Sequence, residues 1–465
     1  MQDDLSFSTV AELSAALRVR RVSATELARH FLERCERLGP RYNAVVTITR
    51  ARALREAAQA DREIASGDWR GPLHGIPYGA KDLIAAQGYA TTWGAEPYRE
   101  QAFERDATVI ARLRDAGAVL VAKLATVELA GGMGYNQPNA SFTGPGKSPW
   151  NPDHWSGGSS AGPGAAVAAG LVPFALGSET SGSIVTPSAY SGTTGLRPTY
   201  GLVSRHGAMA LAWTMDKIGP MARSAEDCAA ILSVIAGKDP DDPSSVDRGF
   251  RWPPVAPAPR RMRIGVLKGA IEGIQPEVAA NFTAALRALG RTIEVVEDVE
   301  LPDFPWGVVT GLVITAEASS AFDDLINSGR IHELTAPEDR TGGYPAIAIS
   351  ARDYLRAMRA RRLMNRALDD VLKRFDAIAT PTRTTVASHL DRRFGDAWPG
   401  VARGTPMIGA SNVAGVPAIA LPSGFGVEGL PTSLMFTGRA FDEHKLVALG
   451  QAYQARTDWH RRRPV

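Results

Sequence analysis

Apolar residues near the N-terminus recur every three to four positions, which is the period of an amphipathic helix. Two of these runs open with a capping box, Thr9–Glu12 and Ser23–Glu26, so we predict a helix after each. A third helix is predicted at about 51–66. Roughly the first 70 residues are therefore expected to be helical.

Farther along the chain, a helical pattern, a glycine and a short apolar strand follow one another repeatedly. In the first such unit, Asp106 is expected to cap a helix that ends near Gly117, and a strand follows at 118–122. This succession is typical of layered α/β proteins. Further units are predicted at 165–170 with 172–176 and at 276–290 with 292–296, further strands at 263–267, 377–380, 418–421 and 433–436, and a closing helix at 446–455.

A proline-rich run at 253–259 has the composition of a linker. Because the composition is the same on its two sides, we expect one α/β domain over residues 1–465. Within this domain, N-terminal helices at about 1–70 precede a core at about 71–220 that carries the candidate chemistry. The weakly patterned segment at about 300–345 is expected to be a variable cap.

The composition excludes several classes of function. Hydrophobic residues make up 44% and charged residues 22%, and 52 basic residues nearly balance 49 acidic ones. A net charge of +3 leaves no basic footprint for nucleic acid or an anionic membrane. Cys35 and Cys228 lack partners at metal spacing and are expected to be buried thiols. With no secretory signal and no long apolar span, we expect a cytoplasmic monomer or homodimer without membrane or nucleic-acid partners.

Two turns rich in glycine and serine form the candidate chemical site. Ser159 and Ser160 lie in the turn 157–162, and Ser183 lies in the turn 178–183. Gly182 permits a sharp turn that directs successive backbone N–H groups into one concavity, where they could stabilise an oxyanion. Each turn alone is also compatible with helix capping or simple chain reversal. The pairing of the two turns favours catalysis.

Lys81 is the candidate base, because no histidine accompanies either serine in a motif. No formally charged side chain lies between His74 and Lys81, so the lysine is expected to be poorly solvated. Its pKa must fall from about 10.4 to roughly 7–8 for it to act as a base, and burial among hydroxyl groups would lower it. The side chain of Asp82 is expected to point away. A solvated lysine–aspartate loop is the alternative.

Three other motifs compete with this interpretation. Residues 158–162 match the G-x-S-x-G elbow around Ser160, but the elbow requires a preceding strand, and 148–155 contain two prolines. Residues 144–148 resemble the end of a Walker A loop, but Ser141 occupies the first glycine position and prolines follow. The eight histidines show no local metal-binding spacing, so no metal is expected.

Taken together, these motifs resemble the amidase signature family, serine hydrolases with a Ser–cis-Ser–Lys triad. The resemblance extends over nearly the whole chain. It implies a large mixed, twisted β-sheet sandwiched by helices, and chemistry without a metal or organic cofactor. The matching segments are 71–82, 106–118, 157–204, 216–220, 379–382, 412–418 and 457–460.

The resemblance also implies a role for each residue of the site. Ser183 would be the nucleophile, Ser159 the bridging serine on a cis peptide, and Lys81 the base. The expected oxyanion-hole amides are those of Thr180, Ser181, Gly182 and Ser183. The expected substrate-binding residues are Ala130, Gly131, Gly132, Met133 and Ser160. Independently of the resemblance, the side chains of Met133, Tyr135, Trp155, Met209 and Trp213 are compatible with an apolar, aromatic pocket, and a place in the hydrophobic core is the alternative for each of them.

The chain departs from the family's commonest pattern at three positions. Ser181 stands in place of a glycine, and Val185 and Leu202 stand where arginine is frequent. These differences leave the triad intact, so the resemblance implies the reaction chemistry and no particular substrate.

We therefore expect a hydrolase that cleaves a carboxylic amide C–N bond through an acyl-Ser183 intermediate, with esters, anilides and carbamates (urethanes) as extensions. One alternative is the glutaminase subunit of a tRNA-dependent amidotransferase, whose basic stretch matches 354–363 poorly. The other is a non-catalytic scaffold of the same fold. It is disfavoured because Lys81, Ser159 and Ser183 are all present.

Overall fold

A computed structural model describes residues 2–254, 261–402 and 404–464 of the protein. Its strands are β1 (Val45–Ile48), β2 (Pro77–Lys81), β3 (Val119–Leu124), β4 (Phe174–Glu179), β5 (Thr194–Arg197), β6 (Lys217–Ala222), β7 (Met262–Leu267), β8 (Ile293–Val299), β9 (Ala377–Pro381), β10 (Ala418–Phe425) and β11 (Pro431–Thr437). All eleven pair in one sheet, in the order β1-β3-β2-β4-β6-β5-β10-β11-β9-β7-β8.

Helices pack on this sheet. They are α1 (Gln2–Phe7), α2 (Val10–Arg18), α3 (Ala24–Tyr42), α4 (Arg50–Ser66), α5 (Thr108–Asp115), α6 (Ala161–Ala168), α7 (Val185–Ser191), α8 (Ala225–Ile235), α9 (Pro276–Leu289), α10 (Trp306–Ala321), α11 (Asp323–Asn327), α12 (Asp339–Ile347), α13 (Ala351–Leu372), α14 (Pro406–Ala414) and α15 (Glu443–Gln454). Every helix in the described ranges is too short or too polar to cross a bilayer.

The sheet is mixed, which confirms the predicted α/β architecture. β2 pairs in parallel with β3 and β4, whereas β4 pairs with β6 in the antiparallel sense. All residues of β2 and β3 are buried, so both faces of the sheet are covered there.

Local sequence signals located the predicted helices and strands, but the first 70 residues, which were expected to be helical, also contain the strand β1. Both capping boxes form, with Thr9 and Ser23 accepting the amide N–H of Glu12 and Glu26. The Cys35 and Cys228 thiols are buried, as predicted.

The prediction that Asp106 caps the helix α5 was wrong. Ala107 occupies the cap position without a side-chain bond. Asp106 instead accepts two hydrogen bonds from Arg52, at 2.7 and 2.9 Å, because the partly buried guanidinium requires a carboxylate partner.

The domain boundaries stay predictions. Of the proline-rich run, residues 255–259 lie outside the described residues. The expected cap segment contains α10, α11 and part of α12. It lies against the chain near Glu128, whose carboxylate accepts the amide N–H groups of Thr335 and Ala336.

Two parallel strands position the candidate chemistry. β2 ends at Lys81, and the neighbouring β4 ends at Glu179, immediately before the turn 180–183. Ala80 lies opposite Leu176 in this pair. Because parallel strands end at the same edge of a sheet, Lys81 and the turn meet. No strand was predicted at 77–81 from the sequence.

Candidate active site

Lys81 is completely buried at the end of β2. Its Nζ donates hydrogen bonds to Ser159 Oγ at 2.7 Å and to Ser178 Oγ at 2.9 Å. Burial lowers the pKa of Lys81 to about 7, although the charges of Asp216 and Glu179 act in the opposite direction. Near neutral pH, a large fraction of this amine is therefore unprotonated and able to accept a proton.

The adjacent carboxylate does not contact Lys81, as expected. Asp82 forms an ion pair with Lys123, with 2.7 Å between Oδ1 and Nζ, and both side chains are fully buried. The two buried lysines on this part of the sheet therefore differ in their hydrogen-bond partners. Lys123 has a carboxylate partner, whereas the hydrogen-bond partners of Lys81 are hydroxyl groups.

Ser159 follows a cis peptide bond from Gly158, as the resemblance implied. Its carbonyl accepts the amide N–H of Val127 at 3.0 Å, and the amide N–H of Ser160 donates to the carbonyl of Ser183 at 3.3 Å. The second bond connects the two serine-bearing turns, and together the two bonds hold Ser159 beside Lys81.

Ser160 has a structural position rather than one in the cavity. Its Oγ donates to the carbonyl of Ser178 at 3.2 Å and accepts the amide N–H of the same residue at 3.3 Å. It thereby holds Ser178, the second hydroxyl that contacts Lys81. No described strand precedes Ser160 directly, which agrees with the rejection of the elbow motif.

The turn 180–183 carries three available amide groups. In the described part of the chain, the N–H groups of Ser181, Gly182 and Ser183 donate to no protein acceptor. Gly182 has a φ of +91°, a conformation that favours glycine. Ser181 does not adopt a positive φ, which explains why serine is tolerated where a glycine is common.

Glu179 holds the segment that directly follows this turn. Its Oε2 accepts the amide N–H groups of Ile184 at 2.8 Å and Val185 at 3.0 Å, at the start of α7. Its Oε1 accepts from Arg197 and from Asn412, each at 2.8 Å. Burial alone would raise the pKa of Glu179, but Arg197 and Lys217 lower it to about 2, so the carboxylate stays charged.

Ser183 lines a cavity of about 330 Å³ and is 9% exposed. Thr180, Ser181, Ala130 and Gly131 line the same cavity. The remaining walls are largely aromatic or hydroxyl-bearing, with Arg383 as the only charged lining residue in the described ranges. The aromatic lining residues are Tyr135, Trp155, Tyr190, Phe394 and Trp398.

Several predicted pocket residues lie elsewhere. Met133 is buried in the core and does not line the cavity, Gly132 packs on Leu211, and Ser160 holds Ser178. Met209 lines a separate, very small cavity, and Trp213 is 45% exposed on the surface. Residue type alone does not specify whether a side chain lies in the core, in a cavity wall or on the surface, and this explains the errors.

Other residues of the site were not predicted from the sequence. Ser178 was included in the predicted turn 178–183 but had no predicted role, and in the structure it lies near the end of β4. Tyr190, Arg383, Phe394 and Trp398 reach the cavity from α7 and from the segments after β9. No local motif marks these four positions.

The sequence matches one protein family over most of its length. A family model described as Amidase matches residues 26–447. A curated glutamyl-tRNA(Gln) amidotransferase subunit from Roseiflexus castenholzii is 38% identical, covering 98% of this chain and 97% of that protein.

The chain belongs to the amidase signature family. As an amidase signature enzyme it acts on carbon–nitrogen bonds.

Solved structures of other amidase signature proteins share its fold. The peptide amidase from Stenotrophomonas maltophilia is 33% identical, with a TM-score of 0.85 and coverage of 98% of both chains. The corresponding glutamyl-tRNA(Gln) amidotransferase subunit from Thermotoga maritima is 29% identical, with a TM-score of 0.76, covering 97% of this chain and 94% of that one. Both a peptide amidase and an amidotransferase subunit therefore resemble this amidase signature chain over nearly its full length.

Proposed function

We propose that this chain hydrolyses a carboxylic amide through an ester formed between the substrate's acyl group and Ser183. The contact between Lys81 and Ser159, next to the cavity that Ser183 lines, carries this proposal. Three amide groups without protein acceptors in the described chain lie in the same turn as Ser183. A base, a hydroxyl relay, a nucleophile and an oxyanion site are thus available together.

In the proposed reaction, neutral Lys81 accepts the proton of Ser159 as Ser159 accepts the proton of Ser183. Ser183 Oγ attacks the amide carbonyl, and the amides of Ser181, Gly182 and Ser183 stabilise the oxyanion. The C–N bond breaks when the proton returns through Ser159 to the leaving nitrogen. Water then attacks the acyl ester by the same relay, which releases the carboxylic acid and restores Ser183.

The cavity supports an amide with an aromatic or apolar group. Trp155 and Phe394 stack with 4.5 Å between ring centroids, and Tyr135 meets Phe394 edge to face at 5.6 Å. Arg383 lies over the ring of Tyr190, 5.9 Å from its centroid, and offers donors to a carbonyl or carboxylate of the substrate. Cleavage of esters, anilides or carbamates stays a prediction.

A second candidate is the amide-hydrolysing subunit of an amidotransferase. The names of the curated relatives support this candidate more than an independent amidase. It would bring a protein partner and a tRNA, contrary to the expectation of no nucleic-acid partner. The aromatic cavity and the higher TM-score with the peptide amidase favour the independent enzyme.

The chemical step is tested by trapping the intermediate. The purified chain is given a panel of aliphatic amides, aryl amides, esters and carbamates, and the acylated peptide is located by mass spectrometry. We expect the acyl group on Ser183 and none in Ser183→Ala. Ser233→Ala is the matched control, because in the described chain this hydroxyl bonds only the carbonyl of Ala230 in its own helix. Acylation of another residue would overturn the assignment.

The two candidates differ in what the chain does alone. An independent amidase turns over aromatic amides without a partner and prefers them to glutamine. The amidotransferase component instead hydrolyses glutamine, and this activity rises when its partner proteins and tRNA are added. Glutamine turnover that depends on such partners would reverse our preference.

A further inference from the structure

A cluster of potential metal ligands lies behind the wall of the active-site cavity. It consists of His154, His389 and Glu428, the last in the turn between β10 and β11. Glu428 Oε2 is 3.3 Å from His154 Nε2 and 3.6 Å from His389 Nε2. One donor atom from each residue lies within 4.8 Å of the other two.

His154 is the unusual member of this cluster. Its side chain is completely buried, yet neither ring nitrogen has a hydrogen-bond partner in the described part of the chain. Buried polar atoms are normally satisfied, so an unsatisfied imidazole needs an explanation. A metal ion would satisfy one of these two nitrogens, since neutral imidazole is a common metal ligand.

We propose that His154, His389 and Glu428 bind one borderline divalent cation, for which Zn²⁺ is the representative ion. Two imidazole nitrogens and one carboxylate oxygen suit zinc and leave a fourth position for water. With bonds of about 2.0–2.2 Å, tetrahedral ligand atoms lie roughly 3.3–3.6 Å apart. The two distances to Glu428 Oε2 match this separation without rearrangement.

The ligand atoms of this cluster favour a borderline cation over the commoner hard cations. Mg²⁺ and Ca²⁺ prefer oxygen ligands, and this cluster offers a single carboxylate. His389 and Glu428 are 40% and 44% exposed, so the ion has a path from solvent to the buried His154. The local spacing of histidines gave no sign of the site, because its ligands come from three distant parts of the chain.

The cation would connect segments that form the cavity wall. His154 and His389 form an isolated β-bridge. Their chain neighbours Trp155 and Ser388 both line the active-site cavity, and the amide N–H of Trp155 donates to the carbonyl of Ser388 at 2.9 Å. The bound ion therefore stabilises this wall from the side opposite the substrate.

The test uses the full chain without a histidine tag, dialysed against a chelator. Isothermal titration with ZnCl₂, together with elemental analysis after desalting, measures stoichiometry and affinity. We expect one Zn²⁺ per chain, no displacement by excess Mg²⁺, and a rise in Tm of about 2 °C or more at saturation. Absence of Zn²⁺ binding up to millimolar concentration would overturn the proposal.

Variants identify the site. His389→Ala and Glu428→Gln should each weaken Zn²⁺ binding by at least about tenfold, since even second-shell partners of metal ligands contribute 10–100-fold. Both side chains are partly exposed, so we expect both variants to fold, which circular dichroism verifies. His444→Ala, at an exposed position of α15, is the matched control and should bind like the parent. Equal affinity in all four proteins would place the ion elsewhere and refute the assignment.

Discussion

Lys81 Nζ lies 2.7 Å from Ser159 Oγ, although 78 residues separate the two in sequence. The contact depends on the sheet, because β2 delivers Lys81 to the edge where the neighbouring β4 ends. It also depends on backbone bonds that hold the turn of Ser159 against the chain at Val127 and Ser183. The proposed proton relay therefore depends on the order and direction of the strands in the sheet.

The first prediction concerns pH. Burial lowers the pKa of Lys81 to about 7, and only the neutral amine accepts a proton. We therefore expect kcat/KM to fall as pH decreases through 7 and to level off above it, as measured with a neutral amide substrate. A profile that stays flat down to about pH 5 would exclude Lys81 as the base.

The second prediction separates charge from basicity at this position. Lys81→Ala and Lys81→Arg should both lose acylation by about 100-fold or more, because arginine remains protonated and cannot serve as a base. The rate constant of amine release in single-turnover experiments measures this acylation step. Lys268→Arg, on an exposed lysine paired with Glu300, is the control and should retain the parent rate. Substantial acylation by Lys81→Arg would contradict the proposal.

The third prediction compares two glycines with nearly the same positive φ. Gly182 and Gly67 have φ values of +91° and +92°. Alanine at either position should destabilise the fold by roughly 1–2 kcal/mol, because left-handed backbone is unfavourable with a Cβ. Only Gly182→Ala should also lower kcat, since its Cβ would meet Thr186 Oγ1 at 3.2 Å and displace the oxyanion amides. Thermal unfolding and kcat are measured for both, and equal kcat would refute the role of this turn.

The fourth prediction concerns Glu179, whose carboxylate accepts the amides that directly follow the turn. Glu179→Gln leaves the buried Arg197 without its carboxylate, so we expect the free energy of unfolding to fall by about 3–5 kcal/mol. kcat should fall as well, because the amides of Ile184 and Val185 lose a charged acceptor. Urea denaturation and steady-state kinetics provide the two measurements.

Glu300→Gln serves as the control for that substitution. It removes an exposed carboxylate paired with Lys268, where solvent screens the charges, and should change little. Similar losses of unfolding free energy and kcat in the two variants would show that the buried carboxylate of Glu179 has no specific role.

Elements with a strong local signal were predictable. The capping boxes at Thr9 and Ser23 both form, because their donors and acceptors lie three residues apart. The prediction at Asp106 failed, since a helix-capping residue and the partner of a distant arginine look alike in sequence. β2 was missed as a strand, although its end at Lys81 is central to the site.

The sequence alone determined the chemical groups and the turns that present them. Gly182 permits a left-handed turn, and serine and lysine supply hydroxyl and amine, properties that belong to single residues and their neighbours. Only the tertiary structure decided which aromatic side chains form the cavity and that Lys81 meets hydroxyls while Lys123 meets a carboxylate. The reason is physical. A shifted pKa and a shaped cavity both arise from excluding water, and that requires segments from distant parts of the chain to pack together.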